Sequence, residues 1–212
     1  VDDVCGQDGS RLLMTTPEDI LSYWFGDAVD QAEVARQRRA LWWGKSAATD
    51  AEITARFGAV HARAVAGQLG GWRAEPRSLL ALIVLIDQFS RVICRGQPSC
   101  FANDTMALEL ALDGTAGGKD RRLRPIERVF FYLPFEHAES LEMQRRAVRE
   151  IAALCDDVDD VLRPTFSGFL DYAERHLAVI ERFGRFPHRN AILGRASTAE
   201  EDASLQEPGA SF

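Results

Sequence analysis

Residues 79–86 read LLALIVLI. A run that is apolar on every side has to be buried on every side. Eight such residues are too few to span a bilayer. They can be a parallel strand at the centre of a sheet or the middle of a core helix. The apolar run sits inside a longer segment, Arg77 to Arg95, that stops cleanly at Gly96. That length favours a helix. Its second half turns polar with Asp87, Gln88, Ser90, Arg91 and Arg95. The chain must therefore supply enough other helices to cover one fully buried helix.

The rest of the sequence supplies them. In TTPEDILSYWFG, Thr16 is a helix N-cap, Pro17 takes the first helical position, Asp19 favours the positive helix end and Gly26 stops it. Gln31 to Trp43 is a second helix ending at Gly44. Thr49-x-x-Glu52 reads as a capping box opening a third, with Ile53, Phe57, Val60, Ala64 and Val65 near one face and Gly67 as C-cap. Asn103 caps a helix that the sequence ends at Gly114. Pro125 opens one through Leu133, which Pro134 is expected to interrupt. Leu141 to Leu154 is amphipathic, and Thr165 to Phe183 is long and closed by Gly184. Ser197-x-x-Glu200 reads as a last capping box. No β-hairpin signal occurs. The expected fold is all-α, a bundle or array of about eight to ten helices.

The 212 residues suit one domain. Residues 1–14 read as a disordered leader, with Met14 a candidate start, and 15–212 as a single helical domain. A net charge of −7 speaks against a general nucleic-acid binder. The N-terminus lacks a signal peptide's apolar core, and four cysteines without a CxxC fit a reducing cytoplasm. The expectations are a cytoplasmic monomer or homodimer, no membrane or nucleic-acid partner and no cofactor. Metal binding is disfavoured because Glu136, His137, His176 and His188 show no HExxH or HxH spacing. Nor is there a GxSxG, GxGxxG or Walker motif.

Three segments carry polar chemistry. Asp87 and Arg91 lie one helical turn apart, with Arg95 a further turn along. They are an internal salt bridge or a ligand-facing pair. Glu136 and His137 follow Pro134, where a carboxylate beside an imidazole suits acid–base work or a structural cap. His176 shares its helix side with Ala173, Leu177 and Ile180 and faces inward, whereas His61 reads as surface. The loop FGRFPHRNAILG concentrates Arg185, His188, Arg189 and Asn190 around Pro187, with Phe183 and Phe186 as anchors. Such stiffness suits preorganised recognition of a carboxylate or phosphate, and equally a structural arginine cluster. The three segments are expected to converge.

DQFSRVICRG (Asp87–Gly96), FYLPFEHAES (Phe131–Ser140) and FGRFPHRNAILGR (Phe183–Arg195) resemble the signature segments of the DUF924 family, bacterial proteins with a TPR-like helical fold. The likeness runs from about Pro17 to Phe212 and includes the opening ILSYWFG and the closing STAEE. The chain departs from the family's usual DQFPRN at Ser90 and Val92, and from EHSE at Ala138. Neither departure removes a charge. The resemblance implies a fold and no particular reaction. Function stays open between three readings. One is a binding protein with a polar Arg/His/Asp pocket for a small anion or peptide carboxylate. Another is a small hydrolase with histidine acid–base and arginine charge stabilisation. The third is a structural protein whose charges knit helices together.

Overall fold

A computed structural model describes residues 15–207. The expected leader and start at Met14 lie outside the described residues. Every regular element among the described residues is helical. The chain forms two compact units. The first runs to Arg95 and resumes from Ser99 to Pro134; the second holds Gly96–Pro98 and everything from Phe135 on.

In the first unit, α1 (Pro17–Phe25) starts at Thr16, whose hydroxyl accepts from the Asp19 N–H while Asp19 accepts from the Thr16 N–H. Helix α2 (Gln31–Trp43) is capped by Asp30. Helix α3 (Ala47–Val65) begins earlier than the Thr49 box suggests. Ser46 is the cap, and its hydroxyl accepts from the Thr49 N–H, so Thr49 and Glu52 lie inside the helix. Ile53, Phe57, Val60 and Ala64 are buried as the periodicity requires.

The apolar run forms α4 (Pro76–Ile83), then a π-helical stretch, Val84–Phe89, and a last α turn, α5 (Ser90–Ile93). Residues 79–86 are buried, as expected. The π stretch was not legible in the sequence. It adds a residue to the turn and so rotates Asp87, Gln88 and Ser90 into the interior. His61 is not a surface residue. It is buried, and its Nε2 lies 2.8 Å from Ser90 Oγ. Burial lowers the pKa of this imidazole. Replacing His61 with alanine strands a buried hydroxyl and opens a void. The first unit should lose about 1–3 kcal/mol in urea denaturation; an unchanged midpoint would contradict this role for the pair.

Helix α6 (Asp104–Ala116) follows Asn103 and runs past Gly114, the end its sequence suggests. Gly114 lies inside because a Cβ there would run into Phe131 and Leu79. Helix α7 (Pro125–His137) carries Pro134 within it, where an interruption was expected. Phe130, Phe131 and Phe135 around this proline are fully buried. Their burial outweighs the helix penalty of about 3 kcal/mol that an interior proline exacts. The division between the units falls just after Pro134.

The core of the first unit is aromatic. Phe130 meets Trp42 at 4.6 Å and Phe25 at 5.3 Å between ring centroids, and Trp24 at 5.6 Å. Trp42 donates from Nε1 to the Trp24 carbonyl (2.9 Å), tying α2 to α1. Of the other tryptophans, Trp43 is exposed and Trp72 half-buried.

The second unit is built on an antiparallel pair, α8 (Leu141–Asp157) and α9 (Arg163–Phe183). Gly184, in a left-handed conformation, ends α9. A 3-10 turn, Pro187–Arg189, and α10 (Asn190–Leu193) follow. Helix α11 (Ala199–Ser204) is capped by Thr198 with Glu201, one residue later than the Ser197/Glu200 box. The all-α expectation holds, and helical hairpins of this kind are compatible with a TPR-like arrangement.

Candidate functional site

In the second unit, a short carboxylate-and-arginine frame fixes the loop after α9. Arg185 forms a two-pronged ion pair with Glu201 (2.6 and 2.8 Å) and donates to the Ala196 carbonyl. Arg195 pairs in the same way with Glu139 (2.7 and 2.9 Å), which also accepts the Phe186 N–H. Asn190 is buried; its amide donates to Ser197 Oγ and its oxygen accepts from Arg195. Planar guanidinium–carboxylate pairs of this geometry are directional, so the loop backbone is pinned at both ends.

Inside that frame sit three of the chain's four histidines. His176, on the inward face of α9, is 3% exposed, and Nδ1 donates to the Tyr172 carbonyl (2.9 Å). The same Nδ1 lies 3.3 Å from Oε1 of Glu136, itself buried. Burial drives the His176 pKa well below its ordinary value, and the charges of His137, His188 and Arg189 push the same way. The ring is therefore neutral at pH 7. Arg189 is buried, donates to the His137 carbonyl (3.0 Å) and lies over the Phe186 ring at 4.5 Å. Phe186 touches both His176 and His188, at 5.5 Å each between centroids. His137 and His188 are partly exposed. Glu136 and His137 form the last turn of α7 and are not part of a helix break.

The structure thus brings Glu136, His137, His176, Arg185, His188, Arg189 and Asn190 into one unit. Asp87, Arg91 and Arg95 belong to the first unit. There, Asp87 is wholly buried and accepts from Gln88 Nε2 (2.5 Å). Arg91 pairs with both oxygens of Asp104 (2.9 and 3.2 Å), lies 3.7 Å from Asp87 and donates to the Asp87 carbonyl. Arg95 pairs with Asp50 at 2.6 and 2.9 Å. Among the described residues, no three His, Cys, Asp or Glu side chains are gathered in a way that holds a metal ion. No helix among them is long and apolar enough to cross a membrane.

Comparison with known proteins places this arrangement. The model of a family described as "Bacterial protein of unknown function (DUF924)" matches residues 20–209. The chain belongs to the DUF924 family. It is similar to a solved structure, that of the protein of unknown function ATU0120 from Agrobacterium tumefaciens. The two are 36% identical, with a TM-score of 0.73, over 94% of this chain and 99% of that one. No curated protein matches. In this DUF924 chain Ser90 supplies the hydroxyl that meets His61.

The frame of this DUF924 chain also has a pH signature. The Glu201 carboxyl is held down at about 2, first by Arg185 and then by the Thr198 N–H. An unfolded glutamate titrates near ~4.3. Between those values the unfolded chain binds the extra proton, so stability rises with pH across this window. The contribution is complete above the upper value and is lost as pH falls through the lower. Thermal melts should show Glu201→Gln less stable than wild type at neutral pH, with a shallower slope between about pH 4.5 and about pH 2. Parallel slopes would remove Glu201 from the account.

Proposed function

We propose that this protein binds a small anionic group, a carboxylate or phosphate carried by a small molecule or a peptide end, at His137, His188 and Arg189 of the second unit. The observation that carries the reading is the gathering of three histidines and Arg189 inside a frame of two-pronged ion pairs. The frame uses its own carboxylates, Glu139 and Glu201, to hold Arg195 and Arg185. Arg189 donates to the His137 carbonyl and lies over the Phe186 ring. Cationic and protonatable groups held stiffly in place lose little entropy on binding an anion. The pairing of α8 with α9 supplies the rigid support that helical arrays give to binding surfaces. Arg185 and Asn190 position the loop. Asp87, Arg91 and Arg95, each already bonded within the first unit, support the fold.

A second reading, hydrolase-type acid–base chemistry, draws on the contact between Glu136 and His176. A neutral His176 that donates from Nδ1 keeps Nε2 as a proton acceptor.

Thermal melting of the full chain with acetate, citrate and inorganic phosphate, with His188→Gln alongside, tests the binding reading. A ligand that binds only the native state raises the melting temperature as its concentration passes Kd. The expected result is a saturable rise in the wild type, lost in a variant whose own melting temperature is unchanged. No rise with any anion, together with a variant that melts several degrees lower, would make the loop a structural clamp.

A further inference from the structure

Away from the histidines, and within the first unit alone, α1, α2 and α3 enclose an open depression of about 740 Å³. That is the size of a small-molecule site. Its walls carry Asp19, Ser22 and Tyr23 from α1, Arg38 from α2, and Glu52 and Arg56 from α3.

All but one of these charged groups are already met. Asp19 accepts from the N–H and the hydroxyl of Thr16 (2.8 and 2.7 Å). Glu52 is taken by Arg56 (3.0 Å) and by the Tyr23 hydroxyl. Arg56 also lies over the Tyr23 ring at 4.6 Å. The exception is Arg38. Among the described residues its guanidinium has no ion pair, no hydrogen-bond acceptor and no aromatic face, and its Nε is shut off from water. The neighbouring Arg39 is exposed and keeps its hydration. Arg38 has lost part of its own and gained nothing in exchange.

The end of α1 makes room for it. Gly26 has φ 70° and ψ −170°, a conformation essentially confined to glycine. A Cβ there would run into the Arg38 guanidinium. The guanidinium therefore lies directly against backbone that offers it no acceptor, and its donors are left to the depression. The same wall carries the side-chain hydroxyls of Ser22 and Thr49, which have no hydrogen-bond partner among the described residues.

We propose that this depression binds a small monocarboxylate, with its carboxylate on the Arg38 guanidinium and the Ser22 and Thr49 hydroxyls as further donors. A carboxylate matches the planar fork of an arginine. The charge of the wall sets the valence. Asp19 and Glu52 offset Arg38 and Arg56, so the wall is neutral overall and has one unmet cation to offer. A second negative charge on the ligand, as on phosphate, would find no further free cation and would face both carboxylates. The site lies in a different unit from His137, His188 and Arg189.

The test is a titration of the isotope-labelled full chain with acetate, lactate and gluconate, followed by backbone amide shifts, with inorganic phosphate as control. At least one of the three acids should give saturable shifts centred on residues 19–26, 38–41 and 46–56. Arg38→Met keeps the stem and removes the charge. It should weaken that binding by about tenfold or more with its melting temperature unchanged, because no internal bond is lost. Arg38→Lys should retain part of it. Glu52→Gln leaves Arg56 without its carboxylate, so it should tighten the acid and admit phosphate. Four results would overturn the proposal: no saturable shift with any of the acids, shifts that survive Arg38→Met, phosphate binding the wild type as tightly as the acid, or a Glu52→Gln chain that binds the acid no more tightly. Shifts confined to residues 183–195 would support the other site and count against this one.

Discussion

Phe130→Ala is expected to cost the first unit about 3–5 kcal/mol. The ring is fully buried and meets Trp24, Phe25, Trp42 and, stacked at 5.9 Å, Trp43. Its loss removes both transferred apolar area and the edge-to-face contacts that align α1, α2 and α7. These aromatic neighbours are too large and too closely packed to collapse into the void, so the cavity term stays near its full size. Phe130→Leu, which keeps most of the volume, should cost roughly 1–1.5 kcal/mol. All four tryptophans, Trp24, Trp42, Trp43 and Trp72, lie in this unit, so tryptophan emission in urea follows it specifically. An alanine variant within about 1 kcal/mol of wild type would mean that the aromatic cluster does not organise the unit.

Arg91→Ala should be as damaging, by about 3–5 kcal/mol, for an electrostatic reason. Burial works against the Arg91 charge, but Asp87 and Asp104 overcome it and raise its pKa. Removing the guanidinium takes the cation 3.7 Å away from Asp87, a carboxylate with no exposed surface. The stem of Arg91 also carries its head over the Phe101 ring at 5.7 Å. Arg91→Met keeps the stem and removes the charge, so it separates packing from electrostatics. Both variants should unfold at clearly lower urea, with methionine recovering only a minor part. A methionine variant as stable as wild type would show that the stem carries the effect and that the buried pair contributes little.

Much of the helical order was legible because it rests on local chemistry. Thr16 and Pro17, Gly44 and Gly184 act over a few residues and need no tertiary partner. The misreadings share a cause. Pro134 and Gly114 are helix breakers by propensity, yet both lie inside helices: Phe130, Phe131 and Phe135 are buried around Pro134, and Phe131 and Leu79 pack against Gly114. His61 lies on a helix of mixed polarity, and only the turn of the π stretch places Ser90 within its reach. A six-residue π segment leaves no distinct pattern in eight consecutive apolar residues.

The loop 183–195 was legible as a stiff, cationic element because proline, glycine and arginine announce themselves. Its partners were not: Glu201 and Glu139 stand 16 and 56 residues from the arginines they hold. The vacancy beside Arg38 was wholly hidden. In sequence Arg38 is one of a pair on a charged helix face, indistinguishable from Arg39. That it has no carboxylate partner among the described residues is a property of three helices packed together.

The most direct measurement is the titration of the four imidazoles by nuclear magnetic resonance, with and without inorganic phosphate and acetate. Binding an anion beside an imidazole favours its charged form, so the His137 and His188 pKa values should rise with anion concentration. His176 should stay neutral near pH 7, and His61, in the first unit, should not respond. An anion that moves His188 and His137 but not His61 would establish the recognition site in the second unit. Four titration curves indifferent to every anion would contradict it and leave the loop a clamp for the end of α9.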